Sequence, residues 1–436
     1  MTLDRPGQQM ERIETAARSS PGPQVSVIIP CYNHAHYLPD ALDSLLAQTF
    51  ADWEAIVVDD GSLDNTRGVA LDYVSLDSRF RYIHQDNRGL SSARNLGILA
   101  ARGQHFTFLD ADDALEPGYM MACLSALHRN PDVAAVYTGY SYMDEHGTVL
   151  SIAHLEVLAG TALRVRLLRG GFFPPVTVMV RQSAIAATGH FDENLTSTED
   201  WDLWLRLTEH HMMAGIGGAL ARYRVYTNSM STNAERMHRN RLAVLSRIYG
   251  PPDGLSCRWP KEKRQAYAHA FLAAALGFVA QGEIDTAMAM LLCAAETWPQ
   301  LLTLPDTHYE LALWDQPRGY RGQAEKLDLS RNADLVLSAL DELFAKASSS
   351  VSRVRAAAYG HAHLALAMLA DQALQWDLAR RHMLCALLRY PRLALDRRVL
   401  RRMAKLLLGQ RLTGWVRHRL KTNPGAKEEQ PCVSCS

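Results

Sequence analysis

Cysteine is scarce in this 436-residue chain: seven thiols, an odd count, are too few for a disulfide framework and fit a reducing compartment. No charge of one sign dominates. Lys and Arg number 46, as do Asp and Glu, so no polyelectrolyte attraction to nucleic acid is expected, and any steering must come from local patches. Long apolar runs are also missing. The longest largely apolar stretch, 266–280, is interrupted by His269 and falls short of the roughly 20 residues that cross a bilayer. The opening segment carries Asp4, Arg5, Glu11, Arg12, Glu14 and Arg18 with no apolar core, which argues against a secretory signal. Neither a GxxxxGK[ST] phosphate loop nor a GxGxxG dinucleotide fingerprint occurs. The expectation is a cytoplasmic protein, neither secreted nor integral.

What is present is the composition of a soluble globular chain, 48% hydrophobic and 21% charged, at a length that suggests two domains. Residues 1–24 mix charge with Pro21, Gly22 and Pro23 and read as a disordered tail. Three short, β-branched or aromatic apolar runs follow, Val25 to Pro30, Ala55 to Val58 and His105 to Leu109. Such runs suit strands covered on both faces. Helix-period segments, Tyr37 to Thr49 and Ser91 to Ala101, separate them, so the pattern is that of βαβ units in a layered α/β domain, placed at 25–235.

From about His238 the chain is alanine- and leucine-rich with helical spacing and proline breaks, which predicts an all-helical domain over 236–421 and a flexible tail over 422–436. Phe271 to Pro299 and His363 to Pro391 echo one another. Ala275, Ala287, Ala294 and Pro299 in the first answer to Ala367, Ala379, Ala386 and Pro391 in the second, a spacing similar to a tetratricopeptide helical hairpin. Any alanine-rich helix pair is the competing reading.

Ligands of an open α/β sheet lie beyond the carboxyl ends of its strands, and those ends are polar here. Pro30, Cys31, Tyr32 and Asn33 close the first run; Asp59, Asp60, Gly61 and Ser62 follow the second; Asp110, Ala111, Asp112 and Asp113 follow the third. One acidic strand end is commonplace as a turn. Three carboxylates within four residues repel one another unless a cation or a hydrogen-bonding ligand compensates, and Mg2+ or Mn2+ beside a nucleoside diphosphate is the natural compensator.

The segments VSVIIPCYNHAHYLPDALDSLLAQTF, WEAIVVDDGSLDNT and GLSSARNLGILAARGQHFTFLDADD, in this order, resemble the family 2 glycosyltransferases of GT-A fold. The likeness continues through Pro175 to Val180, Phe191-Asp192-Glu193, Thr198-Glu199-Asp200-Trp201-Asp202-Leu203-Trp204 and Arg222-Tyr223-Arg224 with Ser229 and Ser231, covering roughly Val25 to Thr232 and none of the helical half. It implies an inverting, metal-dependent transfer from a nucleotide-sugar, of the UDP class, to a hydroxyl in glycan or polysaccharide synthesis. Pro30, Tyr32 and Asn33 would flank the nucleotide, with Tyr32 against the base, and Asp59 or Asp60 would accept from its ring N–H. Arg94 would approach base or diphosphate. Asp110 and Asp112 would serve the donor and Asp112 and Asp113 the metal, with the split among the three left open. Asp200 matches the family's catalytic base, a role its chemistry suits because the acceptor hydroxyl must lose its proton as the bond forms. Glu199 and Trp201 are acceptor-side candidates; Glu199 as an ion-pair partner and Trp201 as core are the plainer alternatives, and Trp204 is read as core.

Two other classes compete. A non-catalytic scaffold presenting the helices to a protein partner should have lost some of these polar positions, and none is lost. A nucleotidyltransferase would want a glycine-rich, basic loop where Pro30 to His36 stands. The acceptor is left open among glycan, lipid-linked oligosaccharide and protein. His34, His36, His210 and His211 lack partners for a zinc site. Cys432 and Cys435 form a single CxxC, a weak metal or redox signal. Residues 397–421 hold nine Lys/Arg and no acid among apolar residues, which reads either as a helix lying on the inner face of the membrane or as one packed on the helical domain with a basic outer face.

Overall fold

In the computed structural model, which describes residues 22–153, 155–226, 232–314, 316 and 323–406, one mixed sheet organises the first half of the chain. Strands β1 (Val25–Cys31), β2 (Trp53–Asp60), β3 (Phe80–Gln85) and β4 (His105–Phe108) run parallel in the order β3-β2-β1-β4. The connecting helices are α1 (Leu38–Leu46), α2 (Thr66–Leu76) and α3 (Leu90–Ala100). Every residue of β1 and β2 is buried. Val25, Val27, Ile29 and Cys31 enter one apolar cluster with Leu38, Ala41, Leu42 and Leu45 of α1, while Ile28 faces the opposite layer with Phe106 and Phe108. That two-sided burial is why the runs are apolar without alternation. The apolar side chains of α1 recur at i, i+3, i+4 and i+7, one stripe of a helix.

The sheet continues with antiparallel partners. After β5 (Ala114–Leu115) and α4 (Tyr119–Arg129) come β6 (Val133–Met143), β7 (Val149–Ala153), α5 (Gly160–Leu167), β8 (Val178–Arg181), α6 (Gln182–Thr188), α7 (Glu199–His210) and β9 (Met212–Arg224). The order runs on β4-β8-β6-β9-β5 with β7 paired to β6, β8 being antiparallel to both its neighbours. This is the α/β GT-A sheet expected from the sequence, with strands and helices starting within one or two residues of the predicted positions. Tyr37 to Thr49 is shorter at its end, α1 closing at Leu46.

Among the described residues no strand follows Arg224, and the second half is all helical. The described residues part into two compact units, one up to 290 and the other from 291 on. The first unit therefore runs past the expected domain edge at 235. The reason is packing: Val244 and Leu245 of α8 (Ala234–Tyr249) and Ala266, Tyr267 and Ala270 of α9 (Lys261–Ala280) share an apolar cluster with Phe108 and Trp204. Helix α10 (Ile284–Thr297) spans the division. In the second unit α11 (Pro305–Ala312), α12 (Leu329–Lys346), α13 (Ser349–Ser352), α14 (Arg355–Gln372) and α15 (Trp376–Arg389) follow. Of the two echoing segments, the second is a helical hairpin in which α14 packs on α15. Ala275, Ala287, Ala294, Ala367, Ala379 and Ala386 are all buried, and Pro299 and Pro391 each open a 3-10 turn past the second helix.

Among the described residues no helix is long and apolar enough to cross a membrane. The N-terminal tail up to residue 21, Ser229 and Ser231, the basic stretch beyond 406, the tail 422–436 and its Cys432 and Cys435 lie outside the described residues.

Candidate active site

The parallel order reverses at β1 and β4, and the polar strand ends meet at that switch, where open α/β sheets bind ligands. Beyond β1, Tyr32 is 45% exposed, so its ring is free to cover a ligand. Asn33 adopts a left-handed conformation (φ 56°), which Asn tolerates, and its side-chain oxygen accepts the Leu63 N–H at 2.7 Å while its own N–H donates to Ser62 Oγ at 2.9 Å. These bonds lace the first strand end to the second. Pro30 is buried within β1.

Asp59 and Asp60 end β2, and both are buried. Asp59 accepts from the Ser62 N–H at 2.9 Å and from Tyr82 Oη at 2.7 Å. Burial works against its charge, yet hydrogen bonds from Ser62, Tyr82 and His84 hold the carboxyl below its ordinary range. Asp60 takes Gln85 Nε2 at 2.6 Å and the backbone N–H groups of Arg88 and Gly89 at 2.9 Å each, fixing the turn into α3. Tyr82 and Gln85 lie on β3, a strand whose mixed FRYIHQ pattern gave no sequence signal.

Arg94 of α3 is only 1% exposed and grips two carboxylates: Nη1 holds Glu199, and Nη2 donates to Asp110 Oδ1 at 2.6 Å. Burial opposes its charge, but Asp110 and then Glu199 overcome this and raise its pKa above the ordinary arginine value. Thus the turn after β4 is joined through one guanidinium to the first turn of α7. Asp200 sits beside Glu199 in that turn, partly accessible. Burial first, and the Glu199 charge second, push its carboxyl up to about 7, with Arg94 offsetting part of the rise. A carboxyl poised there can hold or take a proton near neutrality. The next acid along, Asp202, is buried and bonds Arg206 and Arg247, an internal ion-pair role.

The three acids after β4 are not equivalent. Asp112 is partly exposed; its Oδ2 accepts from Tyr226 Oη at 2.8 Å, and burial together with the Asp110 charge raises its pKa. Asp113 is 1% exposed, with Oδ1 taking the Arg224 N–H at 2.9 Å and Oδ2 having no partner among the described residues. Burial, then the Asp112 and Asp110 charges, push its carboxyl well above its ordinary value. Among the described residues no three His, Cys, Asp or Glu side chains gather as a metal-holding group. A cation bound mainly by phosphate oxygens and water needs only one or two carboxylates, and crowded, partly accessible Asp112 beside Asp110 has the chemistry for it.

Arg224 and Tyr226 were not singled out by sequence reasoning, although Arg222-Tyr223-Arg224 stood in the quoted pattern. Arg224, fully buried, donates to the carbonyls of Asp112 (2.7 Å), Asp144 and Glu145 (3.0 Å each) and to Asp40 Oδ2 (2.6 Å), and lies over the Tyr37 ring. It anchors the acidic turn from behind. His34 packs edge-on against Tyr226 and Tyr37. Trp201 is 3% exposed, its indole N–H donating to Leu167 O at 2.7 Å, and Trp204 is buried with it, so neither ring walls an open face.

A family model, Glycosyl transferase family 2, matches residues 26–187. The chain is 37% identical over 191 residues to an uncharacterized glycosyltransferase of Rickettsia bellii, a match covering 42% of this chain and 27% of that protein. It thus spans about a quarter of that relative's length. It is 32% identical over 222 residues to TuaG of Bacillus subtilis, a putative teichuronic acid biosynthesis glycosyltransferase, covering 48% of this chain and 82% of that protein. Among solved structures, the mannosyltransferase PcManGT of Pyrobaculum calidifontis, in complex with GDP-Man and Mn2+, aligns at TM-score 0.46 and 20% identity over 78% of this chain and 95% of that one.

Proposed function

The chain belongs to glycosyltransferase family 2, and from that premise we propose that it moves a sugar from a UDP-sugar to a hydroxyl of a growing polysaccharide, with inversion at the anomeric carbon. The observation that carries this reading is the Arg94 bridge, which sets Asp200, a carboxyl raised to about 7, next to the Asp110 turn. In this mechanism Tyr32 covers the base, Asp59 or the adjoining turn receives its ring N–H, and Asp110 meets the donor's ribose. Asp200 takes the acceptor proton as the hydroxyl oxygen attacks opposite the leaving diphosphate. Glu199 stays on Arg94 and tunes Asp200. Trp201 has no acceptor role in this reading. Asp112 would hold Mg2+ or Mn2+, with Asp113 a buried support behind it, and the cation when bound would neutralise charge on the departing diphosphate.

We assign transfer to residues 25–235 and acceptor or protein-partner contacts to the helices beyond, in a cytoplasmic setting that fits the balanced charge and few thiols. The polysaccharide acceptor is suggested by TuaG, named for teichuronic acid biosynthesis. The test is a donor panel incubated with Mn2+ or Mg2+, reading released nucleoside diphosphate, which needs no knowledge of the acceptor. Turnover of UDP-sugars is expected. Release from no donor, with the purified protein folded, would overturn the reading in favour of a scaffold.

A further inference from the structure

The helical unit carries an outer surface that the transfer reading does not use. On α15 the buried Ala379, Met383 and Ala386 face inward, while Asp377, Arg381, Leu384 and Leu388, spaced by four, three and four residues, share one outward stripe. Leu384 is 60% exposed and Leu388 72%; Leu395, in the 3-10 turn Pro391–Leu395, is 82% exposed, and Leu400 is 39%. Basic side chains are interleaved with them. Residues 380–406 contain nine Lys/Arg and a single acid, Asp396. Three of the nine are ion-paired, Arg380 to Asp377, Arg398 to Asp396 and Lys405 to Asp371. The other six, Arg381, Arg389, Arg392, Arg397, Arg401 and Arg402, have no carboxylate partner among the described residues.

We propose that this face, α15 with residues 391–402, docks on an anionic phospholipid surface. Charge complementarity selects the occupant: the unpaired guanidinium groups match headgroup phosphates, and the leucines among them need somewhere dry. A bilayer interface supplies both, apolar side chains entering the acyl boundary while arginine stems snorkel to the phosphates. A nucleic acid would satisfy the charges and leave the leucines in water. The surface lies N-terminal to the basic stretch beyond 406 and is tested apart from it.

The full-length protein is sedimented at low salt with phosphatidylcholine vesicles with and without phosphatidylglycerol. Binding only to the anionic vesicles, weakened by salt, is expected. The pair Leu384→Gln, Leu388→Gln should lower the partition coefficient at least about tenfold, since each leucine loses its apolar contact. The pair Arg392→Gln, Arg397→Gln should lower it about twenty-five-fold, each basic group near the surface counting for roughly fivefold. Circular dichroism and nucleotide-sugar hydrolysis should be unchanged in both. No binding by the unaltered protein, equal binding to neutral vesicles, or either pair binding as the unaltered protein does would overturn the proposal, the last shifting the contact to residues beyond 406. Tighter capture of a single-stranded oligonucleotide, insensitive to the leucine changes, would overturn it in favour of nucleic acid.

Discussion

Nη2 of Arg94 lies 2.6 Å from Oδ1 of Asp110, and the same guanidinium holds Glu199, so a buried cation is balanced by two acids from different elements. Removing one member of a buried charge set leaves the others unpaired, typically at about 3–5 kcal/mol. Arg94→Met should therefore lower unfolding free energy by that order in urea titration. Arg94→Lys keeps the charge but not the planar fork, and should recover only part. A Met variant within about 0.5 kcal/mol of the parent would mean the bridge contributes nothing.

The pH dependence of transfer follows from the same cluster. Asp200 must be ionised to accept a proton, so with its carboxyl at about 7 the rate should fall as pH drops below neutrality. Glu199→Gln removes the neighbouring negative charge that helps raise Asp200. The acid limb of kcat against pH should then move to lower pH by on the order of one unit. An unmoved limb would detach it from Asp200.

For the acidic turn, Asp112→Asn should abolish the enhancement of UDP binding by Mn2+ measured by calorimetry. Asp113→Asn should leave that enhancement largely in place, because Asp113 is buried and turned onto the Arg224 N–H. Loss of metal enhancement in the Asp113 variant alone would reverse the assignment, and chelation of the parent protein should reproduce the Asp112 phenotype.

The parts of the fold legible in the sequence were those whose burial is two-sided or one-striped. The runs through Val25, Ala55 and His105 and the stripe Leu38, Ala41, Leu42, Leu45 admit few other readings. β3 escaped because an outer strand of the sheet, mixed in burial, alternates poorly, and β9 because MMAGIGGALARYR has glycines where a strand usually has branched residues. In the site, the strand-end acids were legible by position. Their unequal roles were not: Asp113 is set apart from Asp112 by the Arg224 N–H, a contact across 111 residues that no local pattern encodes. Likewise Tyr226 reaches Asp112 because β9 pairs antiparallel with β5, the short strand that follows the acidic turn.

Close packing in the family pattern gives a stability test away from the polar groups. Gly97 of α3 sits where an added Cβ would come 2.4 Å from Ile28 Cγ2 of β1. Alanine normally favours a helix, but here the overpacking should dominate, costing about 1–3 kcal/mol. Adding Ile28→Ala, which removes the Cγ2 atom that Gly97→Ala meets, should cost the Gly97→Ala protein less than it costs the parent. Two losses that simply add would mean the contact is not the cause.

Asp200→Asn separates catalysis from stability, because the two should move in opposite directions. As the base acts only in bond formation, the variant should bind donor and metal nearly as the parent does and turn over roughly 10² more slowly. The stability sign follows from the folded carboxyl standing at about 7 against an ordinary 3.8. Between those values the folded protein holds a proton that the unfolded chain has lost, so parent stability declines as pH rises from about 4 to 7 and stays lowered above. Asparagine carries no such charge. The melting temperatures of variant and parent should therefore coincide near pH 4 and diverge in the variant's favour by pH 8, every other group titrating alike in both. If Asp200 were merely part of the helix start, asparagine would fold and transfer almost normally. Near-parental transfer would remove the base assignment and direct attention to Glu199; a melting difference that is flat with pH would remove the buried-carboxyl account of its raised pKa.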